Sequence, residues 1–252
     1  MELYDWLAIL GATAWLPPIF GKIKKIFQRP IIRIITNKVI ELGFTSCGPI
    51  LNPQLAFTVE NGNLVVTNFR IRVAHKDGEE RIFEWHQLKQ KIQEKRTSEG
   101  SELYEKEHLL FAIKLNNKDI EERTIYCQET SFTEGYNPIM RKVLEQRGYE
   151  LKRGTHNPNE FLKGKEMNDL FTFCEQSICW KRGTYKIIFE LESPEKFDLI
   201  DNEYEFTLLS SDIVSLEKNK NYIEQFYANE ILPEEDFKKV NWNWCTLKIQ
   251  KQ

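Results

Sequence analysis

Residues 54–74 read QLAFTVENGNLVVTNFRIRVA, and their spacing decides the fold class. Asn61-Gly62 separates two apolar-rich arms, 54–60 and 64–74. This is the strongest short-range signal for a β-hairpin, because both turn residues tolerate positive φ. In the second arm Val66, Phe69, Ile71 and Val73 mostly alternate with Thr67, Arg70, Arg72 and Ala74, as in a strand with one buried and one wet face. A second turn, Lys76-Asp77-Gly78, leads into RIFEW at 81–85, so the stretch reads as a three-strand meander.

Outward from this meander the same signals recur. Residues 31–42 (IIRIITNKVIEL) are rich in β-branched side chains, and further strands are expected at 108–115, 122–128, 184–192, 203–209 and 242–249. Residues 87–106 are polar and charged, and read as a short helix followed by a loop around Thr97-Ser98-Glu99-Gly100. Helices are expected at 138–147, 158–177 and 211–228. In the second, Phe161, Leu162, Met167, Leu170, Phe171 and Cys174 recur at helical spacing after the start signal Asn157-Pro158. The class is therefore mainly β with α insertions: an antiparallel β-sandwich or open barrel over 30–252, with a helical insertion near 136–180.

The formal net charge of -3 conceals a split. Residues 1–20 contribute two acids, Glu2 and Asp5. Residues 21–33 contribute five bases, Lys22, Lys24, Lys25, Arg29 and Arg33, and the remaining chain is acidic by six charges. With 12 Gly, 9 Pro and 5 Cys in 252 residues, collagen, disorder and a disulfide scaffold are excluded. A mean hydropathy of -0.51 excludes a polytopic membrane protein.

Residues 6–21, WLAILGATAWLPPIFG, carry no charge. As a helix they would reach about 24 Å, short of a hydrocarbon core of about 30 Å unless snorkelling or tilt narrows the gap. Pro17 and Pro18 break a regular helix near residue 15. Three structures remain open: a short membrane-spanning helix, an amphipathic helix in the interface, or an ordinary core helix. For the first, the basic collar Lys22, Lys24, Lys25 and Arg29 places the N-terminus out and the body in the cytoplasm. Ala8, Gly11 and Ala12 are small enough to let helices pack closely, which favours homo-oligomers. Thr13, the only hydroxyl in the run, is the pore-lining candidate.

No nucleophile, phosphate-loop or metal-ligand motif is present. Cys174 and Cys179 are the only close cysteine pair and lack partners for a zinc site, so the thiols read as reduced and cytosolic, with no metal and no cofactor. His75, His86, His108 and His156 read as surface or loop residues. Bases mixed with aromatics mark candidate anion or nucleotide contacts at Arg70, Arg72, Arg153, Lys181 and Arg182. The acidic body argues against binding duplex nucleic acid.

The stretches Trp6-Leu7 with Gly11-Ala12-Thr13-Ala14-Trp15-Leu16-Pro17, then Gly48-Pro49-Ile50-Leu51-Asn52 and Phe83-Glu84-Trp85, lie in the first third of the chain. In them the chain resembles bacterial membrane-anchored proteins with a cytosolic β-rich domain, among them the Hailong anti-phage membrane effector subunits. The resemblance implies an inner-membrane, non-enzymatic, oligomeric channel gated by a nucleotide or oligonucleotide on the cytosolic domain. The residues themselves leave a second class open: a membrane-tethered adaptor whose sandwich binds a protein partner.

Overall fold

Apolar residues at every second position generate the strands of the computed structural model, which describes residues 28–97, 100–108, 112–117 and 119–252. Strand β1 (Ile31–Thr45) buries Ile32, Ile34, Ile40, Leu42 and Phe44. Thr36 pairs with Leu55 and Ile40 with Pro53, so β1 carries two extra residues in a bulge where Lys38 has φ 64°. An even insertion keeps the same face inward on both sides of the bulge.

The next strands are β2 (Gly48–Glu60), β3 (Leu64–Val66), β4 (Asn68–His75), β5 (Glu80–Thr97) and β6 (Gly100–His108). Strands β7 (Ile113–Leu115) and β8 (Ile120–Glu129) lead into three helices, α1 (Thr130–Arg153), α2 (Pro158–Leu162) and α3 (Lys165–Gln176). After β9 (Gly183–Glu192), β10 (Asp198–Ile200) and β11 (Glu203–Leu208) come α4 (Ser210–Glu217) and α5 (Lys220–Ile231). Strands β12 (Trp244–Lys248) and β13 (Gln250–Lys251) complete the described elements.

The fold is mainly β, a curled open sheet forming a half-barrel. Its strand order is β10-β1-β2-β8-β5-β4-β9-β11-β13, with β12 paired to β1 and β6 to β5. Every strand pair in it is antiparallel except β1 with β10. Only Ile249 separates β12, on β1, from β13, on β11, so the C-terminal segment stitches the two flanks of the curled sheet together. Inside the curl lie Phe57, Phe69, Ile71, Phe83, Ile187 and Phe189. Each fully buried side chain of this size contributes about 1.5–3 kcal/mol.

Several expectations are corrected. The main sheet is one curled, open layer with only the two-stranded β3–β7 sheet packed on its core, so the open-barrel alternative describes it and a sandwich of two comparable sheets does not. The Asn61-Gly62 turn does not close a hairpin between β2 and β4. Both edges of β2 are already taken by β1 and β8, so β3 pairs with β7 and β4 lies beyond β8 and β5. Residues 87–97 form no helix; they extend β5 into a ribbon with β6. Its register sets Lys89, Lys91 and Lys95 opposite Glu107, Glu105 and Glu102. Helix α1 starts eight residues before the expected 138, because Gly135 and Pro138 in its first turns look like a break. Residues 1–27, with Ala8, Gly11, Ala12, Thr13, Lys22, Lys24 and Lys25, lie outside the described residues. No helix among the described residues is long and apolar enough to cross a membrane.

Register gives the sheet two distinct ends. The starts of β1, β4 and β8 share one end with the finishes of β2 and β9, and Pro30 leads in there. At the opposite end β8 feeds α1, α3 leads on to β9, β11 feeds α4, and α5 leads on to β12. Both helical insertions therefore attach at the end remote from residue 30. Their own core, Phe132, Val143, Leu170, Ile223 and Tyr227, also takes in Phe44 from the last turnings of β1.

The expected helix 211–228 is broken at Asn219, which is fully buried between α4 and α5. Its Nδ2 donates to the carbonyls of Phe44 (2.7 Å) and Asn243 (2.9 Å), and its Oδ1 accepts from the Asn243 backbone N–H (2.7 Å) and Nδ2 (2.8 Å). Replacing it by Ala strands these partners in the interior. Asn219→Ala is expected to lower unfolding free energy by about 3 kcal/mol in urea denaturation.

Candidate functional site

The outer face of the sheet is where the alternation of β4 puts Arg70 and Arg72. Neighbouring strands place acids beside them. Arg70 pairs with Glu192 on β9 and lies 3.9 Å from Glu84 on β5; Arg72 lies 2.6 Å from Glu190 and 3.4 Å from Glu80. Each guanidinium is thus bracketed by two carboxylates. Arg70 also lines a groove of about 400 Å³ between β4, β5, β8 and the start of α1, shared with Glu84, His86, Gln128, Glu134 and Asn137. Amides and an imidazole offer hydrogen bonds there, while Glu84 and Glu134 repel a polyphosphate.

Lys181 and Arg182 sit elsewhere, in the loop entering β9 at the helical end. Here the β4–β5 turn, that loop and the N-terminus of α1 build one polar chain. His75 Nδ1 is 2.8 Å from Asp77 Oδ1, and Nε2 is 3.3 Å from the Arg182 carbonyl. Lys181 Nζ bridges Asp77 (3.6 Å) and Glu79. Glu79 pairs with Arg81, which reaches Glu129 at 3.6 Å. Glu129 is 3% exposed and caps α1, accepting from the Phe132 N–H at 2.6 Å and from the Ser131 hydroxyl. The backbone of Lys181 is held in turn by the Tyr185 hydroxyl, which accepts from its N–H (2.8 Å) and donates to its carbonyl (3.0 Å).

A carboxylate behind an imidazole is the pairing that orients a general base, but here both ring nitrogens face protein acceptors, Asp77 and the Arg182 carbonyl, and neither is open to a substrate. The ring is 7% exposed, faces the Tyr185 ring at 4.6 Å and is covered by Gly183. It holds the turn to the β9 loop. Nor do the buried thiols serve as nucleophiles at neutral pH: burial pushes Cys174 and Cys179 up to about 12 and Cys127 well above its usual range. All five cysteines are free, and only Cys47 is exposed. Among the described residues no cluster of His, Cys, Asp or Glu could hold a metal ion.

Arg153 belongs to neither place. It ends α1, stacked 4.3 Å over the Tyr149 ring. The structure therefore brings Arg70 beside Arg72, and Lys181 beside the His75 network, but does not gather the five candidates around one ligand. Arg29 is exposed just before β1. The reading of His75 as a surface or loop residue is corrected: extending the alternation Phe69, Ile71, Val73 by one step places it inward. Glu129 carried no signal, because its partner Arg81 is 48 residues away. Comparison with protein-family models gives no match, and comparison with curated proteins gives none either.

Two predictions follow from the His75 network. Gly183 has φ 147°, and a Cβ there would lie 2.4 Å from His75 Nε2. Gly183→Ala should therefore cost about 2 kcal/mol in chemical denaturation. The Asp77 carboxyl is lowered to about 2, first by its hydrogen bond with His75 and then by the Glu79 backbone. Because the folded value lies below the usual one near 3.8, its stabilisation is complete above that pH and is lost as pH falls towards 2. Asp77→Asn should be less stable at neutral pH and show a shallower loss of melting temperature between pH 4 and 2.

Proposed function

We propose that this chain is a membrane-anchored, non-enzymatic effector of the bacterial inner membrane, in which the N-terminal segment assembles into or gates a pore and the cytosolic body receives the signal. The observation that carries this reading is the polarity of the body. Pro30 enters at one end of the sheet, and both helical insertions stand at the other. A single strand, β1, joins them: it begins one residue after Pro30 and ends with Phe44 in the helical core. Fifteen strand residues reach about 50 Å, so a change at the helical end has a direct covalent route to the anchor.

The uncharged run 6–21 and the collar Lys22, Lys24, Lys25 and Arg29 support membrane attachment with the body inside. A helix of that length cannot form a pore alone, so the reading requires a homo-oligomer, with Ala8, Gly11 and Ala12 as packing positions and Thr13 facing the lumen. A role in anti-phage defence, and a nucleotide as the signal, come from the resemblance in the first third of the chain. The groove beside Arg70 suits only the neutral part of such a ligand, at the amides of Gln128 and Asn137, because Glu84 and Glu134 repel its phosphates.

The test is dye release from vesicles of phosphatidylethanolamine and phosphatidylglycerol reconstituted with the full chain. Gly11→Leu should reduce release about tenfold while leaving membrane insertion intact, because a bulky side chain keeps the helices apart. Wild-type protein that is monomeric in detergent and releases no dye would sink the effector reading and leave the tethered adaptor.

A further inference from the structure

We propose that the exposed face on the C-terminal half of α1 docks a second copy of this chain, taking the partner's acidic turn at 234–237 with Phe237 over Gly148. The inference rests on the oligomeric reading above and adds to it a contact between cytosolic bodies.

Gly148 is the first observation. Glycine within a helix costs about 1 kcal/mol relative to Ala, so its presence needs a reason. The same helix has a second glycine, and there the reason is internal: a Cβ on Gly135 would lie 2.7 Å from the Phe173 ring. A Cβ on Gly148 would meet nothing within 4 Å. Leu144 and Leu151, four residues before it and three after, share its face of the helix and are 57% and 56% exposed. Two leucines flanking a gap form a hole of the size an aromatic knob fills.

Charge is the second observation. Residues 141–153 contain five bases and two acids, and one of the acids, Glu150, is held by His156 at 3.1 Å. Arg141, Lys142, Arg147, Lys152 and Arg153 make no ion pair among the described residues, and Arg147 Nε is buried without a hydrogen-bond partner. The sheet arginines behave differently: Arg33, Arg70, Arg72, Arg81 and Arg123 are all ion-paired.

The chain itself carries the complement. Glu234, Glu235 and Asp236 form a 3₁₀ turn, are exposed, and make no ion pair among the described residues. Phe237 follows, 50% exposed. Asn229 fixes this turn from both sides, donating to the Lys238 carbonyl (2.8 Å) and accepting from its N–H (3.1 Å). An aromatic on a pre-ordered loop loses little entropy on docking. The lysines behind it, Lys238 and Lys239, have Glu145 as their counterpart on α1. Because the two surfaces differ, the contact is head-to-tail, and such contacts repeat into a closed ring or an open array.

The experiment is sedimentation of the full chain in detergent. Lys152→Glu with Arg153→Glu, and separately Glu234→Lys with Glu235→Lys, should each weaken assembly about tenfold, and combining the two reversals should restore it. Gly148→Leu should raise the melting temperature, since leucine favours the helix, and yet weaken assembly. Wild-type protein that is monomeric would overturn the oligomeric reading and this inference with it. An oligomer that ignores the reversals and Gly148→Leu, or one weakened by them and not restored by the combination, would overturn this inference alone.

Discussion

One amide holds the two cores of this molecule in register. Asn219 spends both of its N–H groups and both oxygen lone pairs on two segments, the end of β1 and the approach to β12, and so ties both to the junction of α4 and α5 in which it stands. A buried amide tolerates few arrangements of its neighbours, because any unmade bond in the interior costs about 1–3 kcal/mol. The end of β1 and the start of β12 are also the strands that lie side by side, Gly43 against Trp244. Fixing Asn243 therefore fixes where the C-terminal segment begins to stitch the sheet, and through β13 how tightly the sheet curls.

This constraint also orders the two cores relative to each other. Phe44 leaves the sheet's interior for the helical core, and its carbonyl is one of the groups Asn219 holds. Two residues on, the Ser46 carbonyl accepts from the buried Tyr227 hydroxyl, which also bonds Tyr136 of α1 at 3.1 Å. The turn from β1 to β2 is thus held by α5 and reaches α1 through a pair of tyrosines. Helices inserted more than 80 residues later in the chain close around the end of the first hairpin.

How much of this was legible in the sequence depended on whether the deciding contact was local. Alternation is local, and it located β1, β4, β9 and β11 within a residue or two at most boundaries. Which strands become neighbours is not. Asn61-Gly62 has the chemistry of a hairpin turn, with Asn61 at φ 67°, yet β2 had no free edge to offer, and that was decided by β8 some 60 residues later. The helix expected over 211–228 has the right periodicity on both sides of Asn219; only the burial of an amide at that point interrupts it. The same holds for the site. Arg70 and Arg72 stand beside aromatic and apolar residues in the sequence itself, but the acids that bracket them come from β5 and β9 and cannot be assigned without the sheet order.

Those acids change what the sheet face can do. A guanidinium already between two carboxylates gains little from a phosphate, since the new contact replaces an existing one and meets the repulsion of the second acid. Arg33, Arg123 and Lys251 on the same sheet are likewise matched, to Asp201, Glu121 and Asp201. These pairs are all made within the sheet and its turns, and most of them cross-link neighbouring strands on its polar face. Helix α1, by contrast, carries in its C-terminal half five bases that make no ion pair among the described residues, and it belongs to the end of the sheet farthest from residue 30. Residue 30 and that helix thereby fall at opposite ends of β1, the strand that links them.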